Sequence, residues 1–219
     1  MDLLQLTDAT TSRFLQHSRD GKPLKWRMST WSCQSQSLVN GENFDLNSAR
    51  SFNSIEEIFV NYWRSATTNA NQWGKHRYFL GPFAQADPGT TAVQYDGTAD
   101  NTEIQFVIGP WRWPSVPAQG ITELIYRLRL AIGATTGPFA PMLASKAWDK
   151  HSFLVALDAE RFAREGHEMT GLRTTGGSLL QVHHKNFGVD ADSRPTDAWV
   201  MIKFTQEVTL LGDAVDVAL

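Results

Sequence analysis

The sequence predicts a mainly β protein, an antiparallel β-sandwich of the jelly-roll kind with one inserted helix near residues 121–132. Three observations carry the prediction. Several runs alternate apolar and polar side chains with a period of two, which is the signature of half-buried strands. The segments between them are rich in Gly, Pro, Asn and Asp, as at Asp87-Pro88-Gly89, Asp96-Gly97 and Gly176-Gly177, which are turn formers. Helical periodicity is confined to one convincing stretch, so the repeated strand–helix alternation of a parallel α/β sheet is missing.

The clearest strand is 198–211, where Val200, Ile202, Phe204, Val208 and Leu210 share a face and Lys203, Thr205, Glu207 and Thr209 share the other. Residues 103–108 place Ile104, Phe106 and Ile108 together. Residues 152–158 are apolar on both sides and read as a strand buried on both faces. Residues 178–184 alternate Leu180, Val182 and His184 against Leu179, Gln181 and His183. After the Gly212-Asp213 break, 214–219 reads as a last short strand. From Trp26 to Cys33 the apolar residues fall first on even and then on odd positions, a register break that predicts a β-bulge. Residues 55–63 carry a capping-box pattern, Ser54 with Glu57, and helical spacing of Ile55, Ile58, Phe59 and Tyr62. The β-branched and aromatic run Ile58-Phe59-Val60-Asn61-Tyr62-Trp63 argues for a strand instead, and a strand is expected.

The helix places Ile121, Leu124, Ile125, Leu128 and Ile132 on one stripe, with Gly133 as its stop and Arg127 and Arg129 complementing the dipole at its end. A shorter helix is expected over 159–165, capped by Asp158, and a weak helical signal lies in 8–15. In this reading residues 1–24 form an N-terminal arm and 25–219 a single sandwich domain.

Composition bounds the function. The 219 residues are 42% hydrophobic and 20% charged, with a formal net charge of −3, ordinary for a chain that folds around a core and without a field to attract phosphate backbones. There is no strong nucleic-acid signal, so any such contact would have to be local, and no cofactor is expected. The single cysteine, Cys33, excludes an internal disulfide and reads as a small buried hydrophobe. No apolar run approaches the about 20 residues that span a bilayer, and Met1-Asp2-Leu3-Leu4-Gln5 shows no secretory pattern, so a cytoplasmic chain without membrane contact is expected.

No catalytic or metal centre assembles from the residues, and no enzymatic activity is expected. His183 and His184 are adjacent on a strand, point to opposite faces and do not chelate one ion, with His184 half-buried and His183 exposed. Asp190 and Asp192 lack the spacing of a calcium loop. Thr174-Thr175-Gly176-Gly177-Ser178 lacks the Lys and following helix of a phosphate loop and reads as a hairpin turn. Glu56 and Glu57 are split between faces if their segment is a strand.

The eight tryptophans, at 26, 31, 63, 73, 111, 113, 148 and 199, are the unusual feature. In Trp111-Arg112-Trp113-Pro114 the two indoles share a face of an extended segment, and this pattern serves as a core cap, a subunit contact or a ligand-stacking surface. Trp111, Arg112 and Trp113 are the candidates for self-association. Trp73, Trp111 and Trp113 are those for an alternative, a lectin-like sandwich that binds carbohydrate.

Several segments follow one another in a telling order. They are Ala49-Arg50-Ser51-Phe52 leading into Ile58-Phe59-Val60, and Gln105-Phe106-Val107-Ile108-Gly109 with its Pro-rich turn. The helix with Tyr126-Arg127-Leu128-Arg129 follows, then the strand Phe153 to Asp158, Thr170-Gly171-Leu172-Arg173-Thr174 and the long terminal strand. From Ala49 to Leu219 this is similar to the C-terminal portion of the double-jelly-roll major capsid proteins of large and polinton-like DNA viruses. The resemblance implies a structural subunit that packs against copies of itself, with a trimer as one expected form, no catalytic residues and a place in the virion. It also implies a chain shorter than a full double jelly roll: a fragment, a split half or a virus-derived cellular gene.

Overall fold

The computed structural model describes residues 12–13, 16, 20, 23–39, 41–48, 50–64, 77–78, 101–132, 153–159, 171–172, 174, 179–187, 194–211 and 214–218. The strands are β1 (Leu24–Ser37), β2 (Phe44–Ser48), β3 (Ile55–Arg64), β4 (Arg77–Tyr78), β5 (Glu103–Ile108), β6 (Trp111–Gln119), β7 (Leu154–Asp158), β8 (Leu180–Lys185), β9 (Asp197–Leu211) and β10 (Ala214–Ala218). The helix α1 (Gly120–Ile132) lies between β6 and β7. All pairings are antiparallel.

One sheet runs β1-β9-β3, with β7 and the short β4 on the far edge of β3 and β10 on β9 beyond the end of β3. The other runs β2-β8-β5-β6. The chain crosses repeatedly between two sheets, at β1–β2, β2–β3, β4–β5, β6–β7, β7–β8 and β8–β9, while β3–β4, β5–β6 and β9–β10 stay within one sheet, and such strand exchange is that of a jelly roll. The predicted strands are present at 103–108, 154–158, 180–185, 197–211 and 214–218, and the ambiguous 55–63 segment is β3.

Period-two alternation builds the core directly. Ile58, Val60 and Tyr62 of β3 stand opposite Ile202, Val200 and Ala198 of β9, and Val155 and Leu157 of β7 extend the same inner face. Leu46, Val182, Leu180, Ile104, Phe106 and Ile108 answer from the second sheet, each at most 2% exposed. On α1, Leu124, Ile125 and Leu128 are buried as the stripe requires, and the helix packs on β6 and β7, the two strands it joins. It thereby closes the side where the two sheets part. The stripe stops short of Ile132, which is exposed while Ala131 is buried.

Three readings are corrected. First, β1 pairs β9 from Leu24↔Leu210 to Ser37↔Asp197 without a shift, so no bulge repairs the register break. Trp26 and Met28 lie on the inward side of a ribbon half that reaches past the core and are 45% and 51% exposed. Where β1 becomes a wall of the sandwich, its inner side is polar (Ser32, Gln34, Gln36), and Trp31 and Cys33 sit on the outer face. The hydrophobic pattern changes face because the environment does.

Second, Cys33 is exposed, not buried, for the same reason. Third, Glu56 and Glu57 are not split between faces. The β3–β9 register shifts between Ile55 and Glu57, and this bulge brings both carboxylates to Lys203 Nζ, at 3.2 Å and 3.0 Å. Ser29 and Thr205 hydroxyls donate to Glu56, at 2.8 Å and 2.6 Å.

Burial pushes the Glu56 carboxyl upward, but the Thr205, Ser29 and Lys203 hydrogen bonds outweigh it and hold Glu56 below the usual carboxylate range. Lys203, whose burial alone lowers it, is raised by Glu57 and Glu56. Lys203→Met leaves Glu56 with its neutral donors alone. A loss of about 1–2 kcal/mol in urea unfolding at pH 7 is expected, modest because the ammonium is partly solvated. That difference shrinks as the pH falls through the Glu56 pKa, since a depressed carboxyl contributes only while ionised.

The predicted helix at 159–165 lies outside the described residues except for Ala159, as do Asp190, Asp192, 175–178 and Trp73; of 8–15, residues 12 and 13 are helical.

Candidate interaction surface

The Trp111-Arg112-Trp113 run forms the start of β6, the edge strand of the four-stranded sheet. Gly109-Pro110 joins it to β5 in a two-residue turn in which Gly109 takes φ 57°, the left-handed position that a first turn glycine supplies freely. Trp111 pairs with Ile108 and Trp113 with Phe106, so both indoles lie on the core-side face of β6, as their spacing predicts. Trp113 packs on the core, while Trp111 lies past its rim and is 57% exposed. The rings stack with centroids 6.3 Å apart at 24°. One indole is therefore anchored and the other is presented.

Arg112 faces the opposite way, as the residue between two that share a face must. It lines an open groove of about 650 Å³ on the outer surface of the sheet. Cross-strand register builds the groove: Asp45 of β2 stands opposite His183 of β8, which stands opposite Gln105 of β5. His183 Nδ1 lies 2.5 Å from Asp45 Oδ1. The β5–β6 register shifts after Ile104, and the extra β6 residues form one wall. Gln105 Nε2 donates to the carbonyls of Pro114 and Ser115, at 2.9 Å and 3.3 Å, in place of the interrupted ladder. Lys185 Nζ pairs with Glu103 at 3.6 Å.

His184 sits on the other face, 1% exposed. Its Nε2 and the Tyr62 hydroxyl share a hydrogen bond at 2.5 Å, and Phe44 stacks on its ring at 4.4 Å and 17°. Burial pushes its pKa down to about 3, offset in part by the backbone of Phe44 and Val182. The histidine pair thus divides between core and surface as strand geometry requires, with His184 fully rather than half buried. Among the described residues no group of three or more His, Cys, Asp or Glu could hold a metal, and no helix is long and apolar enough to cross a membrane.

Sequence reasoning found the aromatic pair and missed the groove, whose Asp45, Gln105 and His183 come from three strands far apart in the chain. It also missed the outer face of the larger sheet, where Trp31 lies 5.7 Å from Phe59 and Trp199 is 40% exposed. The one available signal was the polar half of the 180–185 alternation, Gln181 and His183.

The chain is similar to PBCV-1 VP54, from a crystal structure fitted into a cryo-EM reconstruction of the virophage Sputnik. The TM-score is 0.59 at 8% identity, over 98% of this chain and 55% of that one. It is also similar to a chain of the quasi-atomic model of the PBCV-1 virus capsid, with a TM-score of 0.51 at 9% identity over the same shares of each. This chain therefore spans about half the length of the solved chains it matches. No family model and no curated protein matches. The fold is that of viral capsid jelly rolls, a mainly β sandwich with a single inserted helix among the described residues.

Proposed function

We propose that this protein is a capsid-type structural subunit that works by associating with copies of itself in a shell. The observation that carries the reading is the jelly-roll strand exchange, shared over nearly the whole chain with VP54 and the PBCV-1 capsid chain. The contact proposed for it is the β6 edge, where the core-anchored Trp113 holds Trp111 toward solvent. Large aromatics at a fixed position are the residues on which association energy concentrates, and a pre-positioned ring loses little entropy on burial. Arg112 faces the groove instead, so the association surface is the indole pair and not the whole tripeptide. A trimer within a virion is the form this reading expects.

A concentration series by sedimentation velocity tests it. The protein is expected to populate discrete oligomers as concentration rises, and Trp111→Ala to weaken association about tenfold or more, a loss of at least ~1.4 kcal/mol at a contact hot spot. Trp111 is exposed, so the variant should unfold at an unchanged urea midpoint. A protein that stays monomeric at high concentration overturns the proposal, and an association indifferent to Trp111→Ala overturns the assigned contact.

A further inference from the structure

The groove outside the four-stranded sheet has a chemistry that association through the indoles leaves unused. Its polar side chains are mostly engaged with one another: His183 with Asp45, and Lys185 with Glu103. Arg112, which lines the same groove, makes no hydrogen bond or ion pair among the described residues. A guanidinium carries a rigid planar fork of donors whose natural complement is a carboxylate.

Acceptors on β8 and β2 line the same groove as that donor. In the tautomer whose Nδ1–H donates to the Asp45 Oδ1 carboxylate oxygen, at 2.5 Å, His183 Nε2 is an acceptor. The second oxygen of Asp45 accepts as well. Gln105 is held by the Pro114 and Ser115 carbonyls and keeps the wall in place. A volume of about 650 Å³ falls within the range of small-molecule sites.

We infer that this groove binds a small hydroxylated carboxylate of the size of a uronic acid, with its carboxylate on Arg112 and its hydroxyls donating to His183 Nε2 and Asp45. A neutral sugar leaves the guanidinium without a counter-charge. A simple inorganic anion satisfies Arg112 and offers nothing to the acceptors. The ligand has to present both groups, and it needs no second protein copy to bind.

Isothermal titration at pH 7.5 with glucuronate, glucose and sulfate tests the inference. Saturable glucuronate binding is expected, with a Kd on the order of 1 mM for so small and open a site. Glucose and sulfate are expected to bind at least about tenfold more weakly. Arg112→Gln should weaken glucuronate about tenfold, and His183→Phe should weaken it several-fold while leaving sulfate unchanged. Both side chains are at least partly exposed, so urea midpoints should stay where they are. The absence of saturable glucuronate binding, an Arg112→Gln variant that binds as well as the parent, or sulfate binding as tight as glucuronate each overturns it. None of these outcomes depends on whether the protein assembles, so this inference and the shell reading fail separately.

Discussion

Acidifying the protein from pH 7 to pH 3 is expected to remove on the order of 4 kcal/mol of folding stability through His184 alone. The imidazole is buried in an aromatic cage, with Phe44 stacked on it and Phe187 edge-on at 5.8 Å, and its pKa is lowered to about 3. In the unfolded chain the same ring titrates near 6.5. Below that value the unfolded state takes up a proton that the folded state refuses. Stability therefore falls steadily as the pH drops from about 6.5 toward 3, and lies at its plateau above. Urea unfolding at half-unit pH steps measures the slope.

The variants separate His184 from the carboxylates, which also lose stability in acid. Tyr62, whose own ionisation burial pushes upward, remains a hydroxyl donor throughout. Tyr62→Phe leaves His184 Nε2 without its hydrogen-bond partner and is expected to cost about 1–3 kcal/mol at pH 7. The double variant Tyr62→Phe with His184→Leu removes the hydroxyl and both ring nitrogens and is expected to recover most of that loss. It should also flatten the profile between pH 6.5 and 4. A double variant with the parent's slope in that window would show that His184 is not its source.

His184 also shows what the sequence makes legible. Its place in the alternation with Leu180 and Val182 puts it on the core face, because a strand with one buried side admits one reading of its odd and even positions. The same logic found β5, β7 and β9, and the 3.6-residue stripe found α1. It failed where a residue's face depends on the partner strand. Glu56 and Glu57 share a face only because β3 gains a residue against β9, and nothing within β3 announces that gain. Trp26, Met28, Trp31 and Cys33 looked like one strand with a fault, whereas β1 is regular and the sandwich beneath it ends. The groove was out of reach for a related reason. Asp45, Gln105 and His183 meet through the jelly-roll exchange of strands between sheets, which is a property of the order β2-β8-β5 and not of any window of sequence.

Gly171→Ala is expected to be the most disruptive single-methyl change among the described residues, costing about 2–4 kcal/mol, at or above the top of the usual overpacking range. A Cβ there would lie 2.1 Å from the Ile55 carbonyl oxygen and 2.6 Å from its carbon, and these are backbone atoms that no rotamer change can move. The position matters because the chain is zipped onto the start of β3 at this point. Gly171 N donates to Ser54 Oγ at 3.1 Å, Ile55 and Leu172 exchange both backbone hydrogen bonds at 2.7 Å and 2.9 Å, and Thr174 N reaches the Phe52 carbonyl at 2.9 Å. Phe52 and Ile55 are buried, Ile55 completely, and Ile55 lies beside the bulge that gathers Glu56 and Glu57 on Lys203. Pushing residue 171 outward therefore strains the bridge and the bulge together. Ser54→Ala, which loses one hydrogen bond and adds no atom, should cost only about 1 kcal/mol. Urea midpoints of the two variants decide the matter: if Gly171→Ala costs no more than Ser54→Ala, the close approach at Gly171 relaxes at little cost, and residues 171, 172 and 174 do not hold β3 in register.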